Sequence, residues 1–177
     1  MKTIRTKSYC DVCESSFGSC PCCVRYVDMY EYRKGDLFES GCEALVNTVN
    51  CIGIMGAGLA AAFKKKFPKM NKDYIRICKA KALRPGLMHI WTNPSGDPKY
   101  IINFPTKDDL SPSKLEYITD GLDKLKSVVE SREIKSIAVP ALGCGLGGLS
   151  WGVVKTHIEN FAEDLPEDTK VLIYEPL

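Results

Sequence analysis

The chain has 177 residues, of which 45% are hydrophobic and 26% charged, and its net charge is +2. This length fits one domain with a core that needs no disulfides, and no apolar run approaches the ~20 residues that span a bilayer. The small net charge neither requires nor excludes a nucleic-acid partner. Because no apolar run follows the basic N-terminus, we expect no secretory signal and a cytoplasmic location. We also expect no membrane partner and a monomer.

Strands and helices alternate after a boundary near Val24, which separates a short cysteine-rich segment (residues 1–24) from the main domain (residues 25–177). The predicted elements are a strand within 24–36, a strand at 44–50, helices at 57–67 and 71–83, strands at 87–91 and 99–104, a helix at 113–130, a strand at 134–140, a helix at 151–165 and a strand at 170–176. Several strands are nearly all apolar, which is typical of a mostly parallel sheet covered by helices on both faces. The pattern therefore predicts an α/β fold.

Two glycine-rich loops follow apolar strands. The first glycine loop (residues 50–58, "NCIGIMGAG") opens a helix, and the second glycine loop (residues 140–150, "PALGCGLGGLS") precedes another. Such loops aim backbone N–H groups and a helix N-terminus at an anion, and glycine lets the backbone approach it closely. A P-loop motif is absent, and the glycine spacing does not match a dinucleotide fold, whose candidate acid, Asp73, falls inside a helix. Two facing loops instead predict a bound diphosphate.

The cysteine-rich segment contains two Cys-x-x-Cys pairs. Four thiolates in two such pairs predict a tetrahedral structural zinc knuckle, with the ligands Cys10, Cys13, Cys20 and Cys23. Cys22 could replace one of the last two, and a reduced tail without metal is the alternative. We expect no zinc or other cofactor in the chemistry itself.

Five motifs in fixed order connect the chain to a known family. They are "KGDLFES", "ALVNTVN", "GIMGAGLAAAFKKKFP", "INFPTK" and "PALGCGLGGLSW". In this order they resemble the motifs with which macrodomains bind ADP-ribose, and the resemblance covers about residues 26–177. It is strongest to the branch of DarG-type DNA ADP-ribosyl glycohydrolases, which is related to terminal ADP-ribose protein glycohydrolase. It implies a three-layer α/β/α macrodomain with a mixed, mostly parallel sheet.

The resemblance also assigns residues to an ADP-ribose site. Asp36 would accept from the adenine amino group, although an aspartate here could simply cap a turn. Asn50 would contact the distal ribose. Asn47 is assigned with Lys107 to the catalytic residues because it would support the site around Asn50, and the alternative for Asn47 is a structural hydrogen bond to the loop. The remaining residues that would line the site are Leu37, Gly56, Ala57, Gly58, Pro140, Leu142, Gly143, Cys144, Gly145, Leu146 and Gly147. Cys144 is interpreted as a small spacer and not as a nucleophile.

Lys107, which ends "INFPTK", matches the catalytic lysine of this branch. As a neutral amine it could attack C1″ of the distal ribose, and as an ammonium it could stabilise the departing group or the opened sugar. The vertebrate relative carries an aspartate where this chain has Gly147, which argues against a simple lysine–aspartate mechanism here. Asp108 or Asp109 could substitute for that acid.

The resemblance implies an enzyme that releases ADP-ribose from a modified target. The expected target is ADP-ribosylated thymidine in single-stranded DNA, in reversal of a DNA-modifying toxin. The alternatives are an ADP-ribosylated glutamate in a protein, O-acetyl-ADP-ribose, and a module that only binds ADP-ribose. The resemblance does not extend to the toxin-binding region of DarG-type antitoxins, so we expect no neutralisation by direct binding. Lys64, Lys65 and Lys66 are interpreted as a solvated face that could also contact a nucleic-acid backbone.

Overall fold

The computed structural model describes residues 30–177, and the predicted zinc knuckle lies outside them. The described elements are β1 Tyr30–Arg33, a 3₁₀ turn Leu37–Glu39, β2 Ala44–Val49, α1 Gly58–Lys66, α2 Pro68–Lys79, β3 His89–Thr92, β4 Tyr100–Pro105, α3 Leu115–Ser131, β5 Ser136–Val139, α4 Trp151–Glu163 and β6 Lys170–Tyr174. None of the helices in this part of the chain is long and apolar enough to cross a bilayer.

In residues 30–177 the strands form one six-stranded sheet in the order β1-β6-β5-β2-β4-β3. Only the edge strand β3 is antiparallel to its neighbour, β4, and the other pairs are parallel. The prediction of a mixed, mostly parallel sheet is therefore confirmed. The order also makes β2 a central strand, with β5 on one side and β4 on the other.

Two hydrophobic layers hold helices against the two faces of the sheet. Ala44 and Val46 of β2 pack in the layer under α3 and α4, whereas Leu45 and Val49 pack in the layer under α1 and α2. This alternation follows from the two-residue period of a strand. Because both faces are covered, the predicted α/β/α layering is confirmed for the described part of the chain.

The boundary between α1 and α2 differs from the prediction. Pro68 stands at the first position of α2, so this helix begins three residues before the predicted start at 71. Proline is tolerated there because the first N–H groups of a helix have no partner within the helix. The helix also ends at Lys79, before the predicted end at 83, since Lys81 adopts a left-handed φ of 54°.

Helix α3 lies very close to the centre of the sheet. Gly121 of α3 faces the fully buried ring of Phe104 in β4, and a Cβ added at Gly121 would overlap that ring. A glycine therefore sets the distance between helix and sheet directly below the segment that links β4 to α3.

Substitution of Gly121 by alanine should lower the free energy of unfolding by about 1–3 kcal/mol, because the ring or the helix must move. Gly152→Ala is the matched control, since Gly152 is exposed on α4 and an added Cβ there would lie 3.8 Å from its nearest neighbour, the Ser150 hydroxyl. The control should leave stability unchanged or raise it by up to about 1 kcal/mol. Urea unfolding measures both variants, and equal effects would contradict the close contact.

Candidate functional site

The two glycine loops meet at the carboxyl edge of the sheet. They follow the adjacent parallel strands β2 and β5. The first loop leads into α1 on one face of the sheet and the second leads into α4 on the other. A crevice forms where neighbouring strands send their connections to opposite faces, and ligands of open α/β sheets bind there.

Both loops leave helix N-termini free to bind an anion. Neither Ala57, the residue that caps α1, nor Ser150, which caps α4, makes a side-chain capping hydrogen bond. Among residues 30–177 the N–H groups of the first two residues of each helix thus lack an internal acceptor, whereas the third N–H of α4, that of Val153, donates to the Ser150 carbonyl at 3.2 Å. Together with the helix dipoles, these groups favour a negatively charged ligand between the loops.

Asn50 shapes the first glycine loop through its side-chain amide. Its Oδ1 accepts from the backbone N–H groups of Ile52, at 3.2 Å, and Ile54, at 3.3 Å, while its Nδ2 donates to the Ile54 carbonyl at 2.8 Å. The buried Tyr74 hydroxyl lies 2.7 Å from both Oδ1 and the backbone oxygen of Asn50. Asn50 therefore organises the loop. Its direct contact with a ribose stays a prediction, and only the second Nδ2 proton is left to make that contact.

Lys107 lies beside this loop because β2 and β4 are in register. Val49 pairs with Pro105, so the residues that follow the two strands stay adjacent. Residues 106–114, here named the bridging segment, are tied to the first loop by a hydrogen bond of 3.1 Å from the Cys51 N–H to the Asp108 carbonyl. The Cys51 thiol also lies 3.6 Å from the Lys107 carbonyl oxygen. Among residues 30–177 no carboxylate forms an ion pair with Lys107, so the side chain can interact with a ligand without first breaking such a pair.

The other end of the bridging segment supports the second glycine loop. The Ser113 N–H donates to the Gly147 carbonyl at 3.0 Å. A Cβ added at Gly147 would overlap the Ser113 hydroxyl and lie 2.5 Å from the Gly143 carbonyl oxygen. Gly143 itself has a φ of +71°, in the region that favours glycine. The structure thus explains why position 147 carries no aspartate, since no side chain fits there.

The remaining predicted residues divide between the crevice and the interior. Asp36 follows β1, and its Oδ1 accepts from the Phe38 N–H at 2.8 Å, so the capping alternative is realised. Its other carboxylate oxygen accepts no hydrogen bond from the described residues. Residues exposed on the two loops are Gly56, Ala57, Gly58, Gly145 and Leu146. Residues buried below the loops or beside the 3₁₀ turn are Leu37, Pro140, Leu142, Gly143 and Gly147. The buried residues of this set can contribute to the ligand site only through their backbone groups or through packing.

Asn47 belongs to the interior, where it begins a buried hydrogen-bonded chain. It is fully buried, and its Nδ2 donates to Oδ1 of Asn103 at 2.9 Å. Asn103 donates to Nδ1 of His89 at 3.0 Å, and Nε2 of His89 lies 2.8 Å from Asp73. Because Asn103 donates to Nδ1, neutral His89 carries its proton on Nε2 and donates it to Asp73. This placement favours a supporting role for Asn47, and its catalytic assignment stays a prediction.

The sequence gave little indication of this series of buried hydrogen bonds. His89, Asn103 and Asp73 come from β3, β4 and α2, and none of them falls at a motif position that predicts contact with the others. The neighbouring Arg76 and His89 lower the pKa of the Asp73 carboxyl, the hydrogen bonds from Arg76 having the larger effect. Asp73, considered above as a dinucleotide-binding acid, is instead occupied by these two partners.

The thiols near the site are poor nucleophiles. Burial raises the pKa of Cys51 to about 12, with a further contribution from Asp108. Burial also raises the pKa of Cys144, whose thiol lies 3.4 Å from the Leu142 carbonyl oxygen. Both side chains are therefore protonated at neutral pH, which supports the interpretation of Cys144 as a spacer.

An open depression adjoins the site between the first loop and the bridging segment. It has a volume of about 510 Å³ and is lined by Ile52, Asp109, Leu110 and Ser111. The side chains of Ile52 and Leu110 are exposed apolar surface. The Ser111 N–H, which donates to Asp109, lowers the pKa of this carboxyl. Asp109 is thus ionised at neutral pH and is not a proton donor.

No group of three or more His, Cys, Asp or Glu residues in positions 30–177 is arranged to hold a metal ion. The fold and the site therefore define a class of α/β protein. In it two glycine-rich loops, suited to an anion, lead into helices without side-chain caps, and a lysine lies beside the first loop.

Comparisons with known proteins agree with this class. The Macro domain family profile matches residues 46–158. Over 150 residues the chain is 45% identical to a protein of Mycobacterium tuberculosis named DNA ADP-ribosyl glycohydrolase, and it covers 84% of this chain and 42% of that protein. The solved macrodomain of Mycobacterium tuberculosis DarG has a TM-score of 0.81 at 43% identity, covering 84% of this chain and 98% of that one. Thermosipho africanus DarTG in complex with ADP-ribose has a TM-score of 0.78 at 34% identity, covering 84% and 42%.

The chain belongs to the Macro domain family, and its fold is that of the DarG macrodomains. It spans less than half the length of the DNA ADP-ribosyl glycohydrolases that it matches. The predicted family and its DarG-type branch are both confirmed.

Replacement of Gly147 by alanine should displace the second glycine loop and lower the melting temperature by several degrees, since a clash with Ser113 and the Gly143 carbonyl must be relieved. Gly145→Ala is the matched control in the same loop, because an added Cβ there meets nothing within 4 Å. Thermal unfolding followed by circular dichroism compares the two. A Gly147→Ala variant as stable as Gly145→Ala would contradict the packing described.

Asp73→Asn should cost about 1 kcal/mol at neutral pH, a small value because the side chain is one third exposed and solvent screens it. The pKa of Asp73 is lowered in the folded state, so its contribution is present above the unfolded pKa of about 3.9 and is lost as the pH falls through the folded pKa. Urea unfolding across acid pH should show the wild type and the variant converge. Exposed Asp123 of α3 provides the control, and a pH-independent difference for Asp73→Asn would contradict the assignment.

Proposed function

We propose that the chain is an ADP-ribosyl glycohydrolase that releases ADP-ribose from ADP-ribosylated thymidine in single-stranded DNA. The observation that carries this proposal is the position of Lys107, which adjoins the first glycine loop and belongs to the segment that also supports the second. A ligand held by both loops would have its reactive end next to this residue. The DNA target is suggested by the printed name of the Mycobacterium tuberculosis relative.

The site offers each part of ADP-ribose a matching surface. The uncapped N-termini of α1 and α4 suit the diphosphate. The free oxygen of Asp36, at the end of β1, can accept from the adenine amino group. The distal ribose would then lie by Gly56 to Gly58, with C1″ towards Lys107, and the depression lined by Ile52 and Leu110 offers room for an attached base.

The reaction is hydrolysis of the bond between C1″ and the thymine base. Water supplies a hydroxyl group to C1″ and a proton to the base, so that ADP-ribose and unmodified thymidine result. In one version the ammonium of Lys107 stabilises the negative charge that develops on the departing base. In the other, neutral Lys107 attacks C1″, and water releases the sugar in a second step.

A second acid is not available in the usual place. Gly147 cannot carry a side chain, and the lowered pKa of Asp109 leaves its carboxyl ionised. Asp108 is exposed, and only its backbone carbonyl is tied to the first loop. We therefore assign the main chemical role to Lys107, with the loops holding the substrate in position. The setting would be cytoplasmic reversal of a DNA-modifying toxin.

Lys107→Ala should reduce release of ADP-ribose from a thymidine-ADP-ribosylated oligonucleotide by at least about 100-fold, yet leave affinity for free ADP-ribose within a fewfold. Lys107→Arg separates the two versions, because a guanidinium keeps the charge but does not become a neutral nucleophile. Partial activity in the arginine variant supports electrostatic stabilisation, and its complete loss supports attack. Release is measured by chromatography, and Lys124→Ala, on the exposed face of α3, is the control.

Full turnover by Lys107→Ala would remove Lys107 from the chemistry. If the wild type binds ADP-ribose but releases none from DNA, the proposal fails, and an ADP-ribosylated glutamate protein and O-acetyl-ADP-ribose are the next substrates. A protein that binds ADP-ribose and hydrolyses none of these would be a binding module.

A further inference from the structure

The positive charge of this chain is concentrated in one segment. Residues 64–84 contain nine Lys or Arg residues and one acidic residue, Asp73, for a net charge of +8. The whole chain carries a net charge of +2, so the remaining residues together carry −6. The small overall charge therefore conceals a basic surface, which consists of the end of α1, all of α2 and the turn that follows it.

Four basic residues form a row along α2. Lys69, Lys72, Arg76 and Lys79 are spaced by three, four and three residues, which places them on one face of the helix, and all four are exposed. They are named here the α2 basic stripe. The opposite face carries the buried residues of the helix, Met70, Asn71, Tyr74 and Cys78. The stripe extends about 15 Å, which is enough to meet several successive phosphates of one strand.

Most of this charge is not compensated within the protein. In the part of the chain that the structure describes, Arg76 pairs with Asp73 at 2.7 Å, whereas Lys69, Lys72 and Lys79 have no carboxylate within ion-pair distance. Like charges at such spacings weaken a helix slightly. A row of uncompensated lysines is also unlike an ordinary solvated face, on which both signs of charge are mixed.

The stripe leads towards the candidate site. At the start of α2 the Phe67 ring is 6.4 Å from the Trp91 ring of the edge strand β3. At the other end, an added Cβ at Gly53 of the first glycine loop would lie 3.5 Å from Cβ of Cys78. Lys79 therefore stands at the end of α2 that borders the loop. The same loop exposes Ile52 and Ile54, apolar side chains on which a nucleobase can pack.

The bridging segment has no such excess of positive charge, because its two carboxylates balance Lys107 and Lys114. The bridging segment presents Asp108 and Asp109 to solvent. Carboxylates there would repel a phosphate chain, whereas the lysines of α2 would attract it. The charge distribution thus selects one side of the site for a polyanion.

We propose that the α2 basic stripe binds the backbone phosphates of the single-stranded DNA whose modified nucleotide occupies the site. The identity of the nucleic acid rests on the proposed function. Single-stranded nucleic acid is typically held by a basic track with side chains on which bases pack, and this surface provides both. The stripe would position the strand, while the loops hold the ADP-ribose.

The binding test uses an unmodified, fluorescently labelled oligothymidylate, so it does not depend on catalysis. The variant Lys69→Gln, Lys72→Gln, Lys79→Gln is compared with Lys124→Gln, Lys126→Gln, Lys170→Gln, which removes the same charge from α3 and β6. Anisotropy should show a loss of affinity of about tenfold or more at low salt for the stripe variant only. Its slope of log K against log salt should shrink by about 2, since each lost phosphate contact contributes about 0.7. Circular dichroism confirms that both variants are folded.

Equal effects of the two triple variants would overturn the proposal, because bulk charge alone would then account for binding. Equally tight binding of heparin would overturn the assignment to nucleic acid, and tighter binding of duplex DNA or RNA would overturn the assignment to single-stranded DNA.

A second measurement separates this inference from the proposed function. Turnover is compared on an ADP-ribosylated oligothymidylate and on ADP-ribosylated thymidine nucleoside, which has no backbone phosphates. The stripe variant should lower the ratio of kcat/KM on the oligonucleotide to that on the nucleoside about tenfold, and the control variant should not. An unchanged ratio in an active enzyme overturns the stripe alone. Absence of turnover on both substrates by the wild type overturns the proposed function, while the anisotropy result still decides the stripe.

Discussion

Two backbone hydrogen bonds from residues 106–114 hold both glycine loops of the site. At one end the Asp108 carbonyl accepts from the Cys51 N–H of the first loop, and at the other the Ser113 N–H donates to the Gly147 carbonyl of the second. Because backbone groups make both contacts, they depend on the path of the chain and not on one side chain. Lys107 directly precedes the first of these attachments, and its own N–H lies 3.4 Å from the Val49 carbonyl oxygen, so its backbone is held beside the first loop.

This arrangement rests on the close packing below it. The bridging segment joins β4 to α3, and the contact of Gly121 with Phe104 brings α3 against the sheet. The same principle recurs in the second loop, where Gly147 lies on Ser113 and leaves no room for a side chain. Ser113 and the Gly143 carbonyl thus fill the space that an acidic side chain at position 147 would need. The chemistry that remains available depends on a lysine held by its backbone, with no carboxylate in ion-pair contact among the described residues.

Several features followed directly from sequence patterns. Apolar strands predicted the central sheet, and glycine loops after two of them predicted an anion site at its carboxyl edge, because parallel strands end at the same edge. The helix boundaries were less accurate, as α2 shows, since Pro68 both ends one helix and begins the next. The motif order identified the family correctly. It also assigned Lys107 to the site, and the structure brings the end of β4 next to the first glycine loop.

Other features depend on residues far apart in the chain, which no local pattern relates. The amide of Asn47 is fully buried against Asn103 because β2 and β4 are in register. Asn47, which the sequence assigned to the site, therefore lies in the interior beneath it. The basic residues of α2 form a track to the site only because the helix runs back along the sheet to the first loop. Local sequence thus determined the elements and the glycine loops, through periodicity and backbone freedom, and it predicted an anion as their ligand. Tertiary structure alone decided which side chains reach the crevice, because strand register and helix direction determine distance.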